Sequence, residues 1–149
     1  MVIRELTRQA SVDLLTRVHL GRLACARGSQ PYVFPMFFAY HDNSLYCAST
    51  IGRKIEWMRE NPLVAVEFDE IDSAQQWASV IVTGRYEELA DTPETRDQRQ
   101  LAWSLLQERK LWWEPAYVKT ILGDAERPMA PLYFRVRIEQ ISGHRTTME

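Results

Sequence analysis

Cysteine and histidine are scarce in this chain, with two Cys and three His among 149 residues. Cys25 and Cys47 are too far apart for a C-x-x-C redox pair and too few for a disulfide framework, which leaves them as small buried hydrophobes. His19, His41 and His144 are scattered, with no Cys or carboxylate at metal-ligand spacing, and this argues against a metal site. The glycine-rich phosphate loops are missing too, since neither G-x-G-x-x-G nor G-x-x-x-x-G-K-[ST] occurs. No apolar run approaches the roughly 20 residues that span a bilayer. The opening MVIRELTRQAS is charged throughout and lacks the apolar centre of a secretory signal. A soluble, cytoplasmic protein without a membrane partner is the expectation. A surplus of one charge is also absent: 18 Lys and Arg face 20 Asp and Glu, so no electrostatic argument points to nucleic acid.

What is present is an ordinary globular balance, 46% hydrophobic and 26% charged, in a length that suits one domain over residues 1–149. A first helix is predicted from Arg8 to about Thr16, with Thr7 placed to cap it and Ala10 and Leu14 on one face. Arg22 to Arg27 alternates as a strand with Leu23 and Cys25 on one side, and Gly28-Ser29-Gln30-Pro31 signals a turn. Tyr32 to Tyr40 reads as one long aromatic strand. A turn at His41-Asp42-Asn43-Ser44 leads into Leu45 to Thr50, which completes a three-stranded meander.

A short helix from Arg53 to Glu60 must end at Asn61-Pro62, because the residue before proline is pushed out of helical geometry. Val64, Val66 and Phe68 mark a fourth strand. Glu70 to Gln76 reads as a polar loop, and Trp77 to about Glu88 as a fifth strand with Ala78, Val80 and Val82 facing one way. Thr92-Pro93 has the form of a helix start, followed by the apolar stripe Leu101, Ala102, Leu105 and Leu106 up to about Lys110. The last strand carries Leu132, Phe134, Val136 and Ile138. Six strands with few helices between them predict a mainly β fold, an antiparallel Greek-key sheet closed into a small barrel and decorated with helices.

Several features could carry chemistry. Pro35 lies inside the apolar segment Val33 to Phe38. It cannot donate to a ladder, so the segment belongs at an edge or is locally unpaired. Free backbone groups there could bond a ligand, with Met36, Phe37 and Phe38 offering flat apolar surface; the alternative is an edge strand whose aromatics fill the core. Ser49-Thr50-Ile51-Gly52-Arg53-Lys54 puts two hydroxyls at a strand end and two cations in the first turn of a helix. Cations oppose the dipole there and make better sense beside a phosphate, although a solvated Arg-Lys pair is equally compatible. Trp77 and Ser79 point together from one strand. Trp112-Trp113 suggests an aromatic lid, a subunit contact or packing within the chain. Arg22 is either a surface charge or a residue that reaches the same site.

In order, these residues resemble the FMN-binding split-barrel family related to pyridoxamine 5′-phosphate oxidase, and within it the nitroimidazole-resistance-like branch. The string runs through Leu6-Thr7, Gly21-Arg22-Leu23-Ala24, Pro35-Met36-Phe37-Phe38-Ala39-Tyr40, Leu45-Tyr46 and Gly52-x-Lys54. It continues with Asn61-Pro62-x-Val64, Trp77-x-Ser79-Val80, Gly84 and Ile138 to Gly143. The resemblance implies a split barrel that forms a homodimer with FMN at the subunit interface. It places Ser49, Thr50, Arg53 and Lys54 at the phosphate, Pro35 to Phe38 along the isoalloxazine ring, and Ser79 close to the cofactor.

The expected activity is that of an FMN-dependent oxidoreductase exchanging electrons with a small-molecule donor or acceptor, the flavin carrying the electrons. The rival readings are a flavin carrier or sensor without turnover, and a barrel that holds F420 or haem instead. Tyr40, His41 and His144 are the nearest candidates for a proton donor, with no pattern that selects among them.

Overall fold

A computed structural model describes residues 1–108, 120–122, 125–127 and 132–148. Trp112 and Trp113 lie outside the described residues, so the lid reading of that pair has no structural counterpart here.

The order of elements is β1 (Val2–Glu5), α1 (Arg8–Arg17), β2 (Leu20–Arg27), β3 (Gln30–Phe37), β4 (Ala39–His41), β5 (Ser44–Ser49) and α2 (Arg53–Glu60). Then come β6 (Leu63–Ser73), β7 (Gln76–Glu88), α3 (Arg96–Glu108), β8 (Thr120–Leu122), β9 (Ala125–Arg127) and β10 (Leu132–Thr147). Eight strands form one antiparallel sheet in the order β3-β2-β6-β7-β10-β5-β4, with β1 added along the end of β10. β8 and β9 pair only with each other.

The way this sheet closes follows from one residue. Tyr32 to Tyr40 was expected to run as a single strand, yet it divides at Phe38. Up to Phe37 the segment pairs with β2, and from Ala39 it pairs with β5. At the junction the Phe38 amide donates to the His19 carbonyl at 2.8 Å. The predicted meander is therefore present, with its middle strand shared between the two ends of the sheet. That sharing bends the sheet into a barrel.

Two tight turns fix the register. Gly28, at φ +56°, fills the first turn position between Arg27 and Gln30, as a type II′ hairpin requires. Asp42 and Asn43 both take positive φ between His41 and Ser44, the pattern of a type I′ turn. Counting from the first turn, Pro31 and Pro35 fall at non-hydrogen-bonded pairs with Ala26 and Arg22. Their nitrogens face the free side of β3, where a missing N–H costs no ladder bond.

Two other expectations are corrected. Glu70 to Gln76 is not a loop: β6 runs to Ser73, and β7 begins at Gln76 after a two-residue turn. Polar side chains are no obstacle to a strand whose partner continues beside it. The third helix starts at Arg96 and not at Pro93. The Thr92 carbonyl closes a turn by accepting from the Thr95 amide at 3.2 Å, and the helical ladder begins with Arg99 donating to the Thr95 carbonyl at 2.9 Å. The first helix conforms to its prediction, with the Thr7 hydroxyl accepting from the Ala10 amide at 3.1 Å.

Leu14, Leu23, Phe38, Leu45, Ile55, Val66, Phe68, Val80, Val82, Phe134 and Val136 fill the barrel interior. A second cluster lies on the outer side of β5 and β10, where Ala102, Leu105 and Leu106 of α3 cover Tyr46, Ala48 and Tyr133. No helix among the described residues is long and apolar enough to cross a membrane.

Candidate functional site

The residues singled out in the sequence fall into two groups, one on each face of β3. Strand alternation explains the split, since successive side chains point to opposite faces. Tyr32, Phe34 and Met36 face the barrel core and α2, while Val33, Pro35 and Phe37 face outward. The flat apolar surface expected of Met36, Phe37 and Phe38 is therefore divided between faces. Met36 points inward, Phe37 points outward, and Phe38 is 1% exposed and packs edge-on against Phe68 with ring centroids 5.8 Å apart.

The first group gathers around the start of α2. β5 ends at Ser49, which is buried and donates to the Thr50 carbonyl at 3.3 Å. Gly52 then enters the helix in an extended conformation without any side-chain cap, and a Cβ placed on it would meet nothing within 4 Å. The amides of the first turn have no partner inside the helix, and Gly52 offers them no side-chain acceptor. Arg53 lies 5.6 Å from the Tyr32 ring centroid, and the Lys54 ammonium 5.2 Å from that of Phe34. Tyr32 in turn touches Trp57 on the next turn of α2, at 5.7 Å between rings. The Cys47 thiol beneath them donates to Met36 Sδ at 3.9 Å, and burial raises its pKa while the nearby Lys54 charge opposes the shift.

What distinguishes Arg53 and Lys54 is the lack of a counter-ion. Neither makes an ion pair with a described residue. The other cations around α2 do: Arg59 holds Glu88 at 2.7 Å, and Arg27 of β2 holds Glu60 at 3.0 Å. Two uncompensated cations at the positive end of a helix, beside an open glycine, form an arrangement that accepts an anion such as a phosphate.

The second group lies on the outer face of the sheet. Register rows across it read Pro35-Arg22-Glu67-Ile81-Ser142 and Val33-Ala24-Ala65-Thr83-Gln140. Ser79 lies next along β7 from Ile81 on this face, paired with Asp69 and His144. Arg22 resolves as a surface residue of this face, donating to Asp69 at 2.8 Å and to Glu67 at 3.2 Å. Burial, then the neighbouring Asp69, raises the Glu67 pKa against the opposing pull of Arg22. Phe37, Leu20, Leu63 and Ile81 expose apolar surface around these charges, and Val33 is 60% exposed.

The sheet thus brings Met36, Ser49, Thr50, Arg53 and Lys54 together, whereas Pro35 and Phe37 share only their outer face with Ser79, which lies three strands away on β7. The two groups meet only across the free edge of β3. Three residues of the neighbourhood escaped the sequence reading. Tyr32 and Phe34 seat the α2 cations, and their signal was the i, i+2, i+4 alternation that they share with Met36. Asp69 ties Arg22 down, and nothing in the local pattern marks it, because the pairing crosses from β2 to β6. Tyr40, His41 and His144 are not brought to one place: Tyr40 and His41 belong to the β4–β5 hairpin, whereas His144 lies on β10 between Glu5 and Ser79.

Comparison with known proteins decides the family. The profile of the pyridoxamine 5′-phosphate oxidase family matches residues 7–145. The chain belongs to this family. It is 40% identical over 143 residues to an uncharacterised protein of Rhizobium meliloti (strain 1021), covering 96% of this chain and 95% of that one. Among solved structures it is similar to a FAD-binding protein from Mesorhizobium loti, with TM-score 0.80, 44% identity, and coverage of 99% and 100% of the two chains. A candidate 5-nitroimidazole antibiotic resistance protein from Bacteroides thetaiotaomicron shares the fold, with TM-score 0.68, 17% identity, and coverage of 97% and 89%. The antiparallel split barrel expected from sequence is the fold of this family. Its described strands number ten and not six, because β1 and the β8–β9 hairpin were not foreseen and the long strand is divided.

Proposed function

We propose that this protein binds a flavin nucleotide, FMN, at the start of α2 and uses it for electron transfer with a small molecule. The observation that carries this reading is the pair Arg53 and Lys54, cations without carboxylate partners among the described residues, at the mouth of a helix whose Gly52 leaves open space. A phosphate monoester fits that donor set: two cations, first-turn amides, and the hydroxyls of Ser49 and Thr50 at the adjoining strand end. The ring would lie along β3, where Pro35 leaves the edge without a donor and Met36 and Phe37 border it from either face. Phe38 supports that strand from the core, and Ser79, three strands from β3 in the same chain, would reach a ring there from a second copy.

A bound flavin would supply one- and two-electron chemistry, and the protein would supply binding and orientation. The similar Mesorhizobium loti protein binds FAD, which shares the ring and the first phosphate with FMN, so the same residues suit that part of either molecule.

The reading includes a homodimer. A second copy would cover the outer sheet face, where Leu20, Val33, Leu63 and Ile81 are exposed and a shallow apolar groove of about 470 Å³ is lined by Ala24, Leu63, Ala65 and Thr83 among others. Burying such surface is the main drive to association.

The deciding experiment is to release the small molecule from purified protein and identify it by absorbance and mass. FMN is expected. FAD would keep the ring and phosphate assignment and extend the ligand, whereas haem, F420 or no chromophore would overturn the reading. Reoxidation of the reduced, protein-bound flavin by nitro or quinone acceptors, compared with free flavin, separates an oxidoreductase from a carrier.

A further inference from the structure

A cleft of about 840 Å³ lies along α3, apart from the α2 neighbourhood, lined by Asp91, Arg96, Arg99, Gln100, Trp103 and Tyr133 among others. That volume is within the range of small-molecule sites. The cleft arises from helical spacing. Arg96, Gln100 and Trp103 recur at i, i+4 and i+7, so they form one stripe on the side of α3 turned away from its buried Ala102, Leu105 and Leu106. β10 supplies the facing wall with Tyr133, which is opposite Ala48 in the register.

The lining is chemically uneven in an informative way. The Arg99 guanidinium stacks over the Tyr133 ring at 4.8 Å and donates to the Leu89 carbonyl at 3.4 Å, so its position is fixed without neutralising its charge. Arg96 has no carboxylate partner among the described residues. Among the described lining residues Asp91 is the one acid, set against the two guanidinium groups of Arg96 and Arg99. Guanidinium groups present planar forks that match carboxylate and phosphate oxygens. Trp103, 44% exposed, offers aromatic surface beside them, while Tyr133 is buried beneath Arg99.

We propose that this cleft binds a planar aromatic group that carries an anion. Arg96 supplies the contact to the anion, Arg99 holds the second positive charge against Tyr133, and the ring of the ligand lies against Trp103. A nucleoside monophosphate, alone or as the end of a dinucleotide, and a free aromatic carboxylic acid share this chemistry. The site is independent of the flavin assignment, since none of its lining residues belongs to the α2 and β3 group.

The test is calorimetric titration of the protein as purified with AMP and with benzoate, using adenosine and benzamide as neutral counterparts. At least one anion should bind more tightly than its neutral counterpart, and added salt should weaken it. Arg96→Gln, an exposed change on a helix surface, should lower its affinity about ten- to a hundred-fold. The visible spectrum and thermal midpoint of that variant should stay unchanged. Tighter binding of AMP assigns the cleft to a nucleotide, and tighter binding of benzoate to a free aromatic acid. Failure of both anions to bind at millimolar concentration, equal binding of the neutral probes, or unchanged affinity in Arg96→Gln overturns the proposal.

Discussion

The Lys54 ammonium stands 5.2 Å from the centroid of the Phe34 ring, so an aromatic face and not a carboxylate holds this cation over β3. A cation–π contact of this kind is worth about 0.5–1 kcal/mol at exposed sites. A charge-assisted hydrogen bond is worth roughly 1.5–3 kcal/mol. The larger figure leaves Lys54 with more to gain from a phosphate than from its present neighbour.

Lys54→Ala is therefore expected to weaken FMN about ten- to a hundred-fold while changing riboflavin affinity far less. Fluorescence titration of both flavins reads the contrast. Equal losses would mean that the substitution disturbs the fold, and no loss would make Lys54 a surface charge only.

The outer face gives a second expectation. Sedimentation should return twice the chain mass at micromolar concentration, and Ile81→Asp should shift the protein toward the monomer by placing a charge in the middle of that face. Wild-type protein that sediments as a monomer while retaining flavin would remove the shared-interface arrangement.

Acid stability has a defined sign. The hydrogen bond from Arg59 holds the Glu88 carboxyl below its ordinary value, against the opposing effect of burial, and Tyr86 adds a second bond. A carboxyl depressed in the folded state contributes stability that is fully present above its unfolded value of about 4.3. That contribution is lost as the pH falls through the lower folded value. Urea midpoints should accordingly fall between pH 5 and pH 3, and less steeply in Glu88→Gln. Glu67 has the opposite sign, since its pKa is raised in the folded state. Glu67→Gln should raise the midpoint at pH 7 and change it little at pH 3.

Gly84 marks a place where two backbones touch. A Cβ there would come 2.1 Å from the Arg137 carbonyl oxygen, which belongs to the backbone of β10 and has little room to move. Gly84→Ala should cost several kcal/mol, in the range reserved for severe steric defects. Gly52→Ala, whose Cβ meets nothing, should leave the thermal midpoint nearly unchanged. Comparable midpoints for the two variants would contradict the close approach.

The contrast between what was legible in the sequence and what was not follows the reach of each interaction. Thr7, the Asn61-Pro62 stop and the inward-facing Val64, Val66 and Phe68 were readable because caps, prolines and alternation act within a few residues. The break at Phe38 was not, because it depends on a bond to His19 and on partners at both ends of the sheet. Thr92 and Thr95 are both chemically fit to begin a helix, and local composition does not choose between them. The same limit divided the candidate site. Arg53 and Lys54 announced themselves as a pair of adjacent charges, whereas the separation of Met36 from Phe37 required the facing of β3 to be known.

Val2 to Glu5 pairs with the end of β10, residue for residue from Thr147 back to His144. β10 itself also borders β7 and β5. The barrel therefore cannot close until β10 has left the ribosome, because the strand that joins three others follows all of them in the chain. Until then β5 and β7 carry unsatisfied edges, which are templates for pairing with other chains.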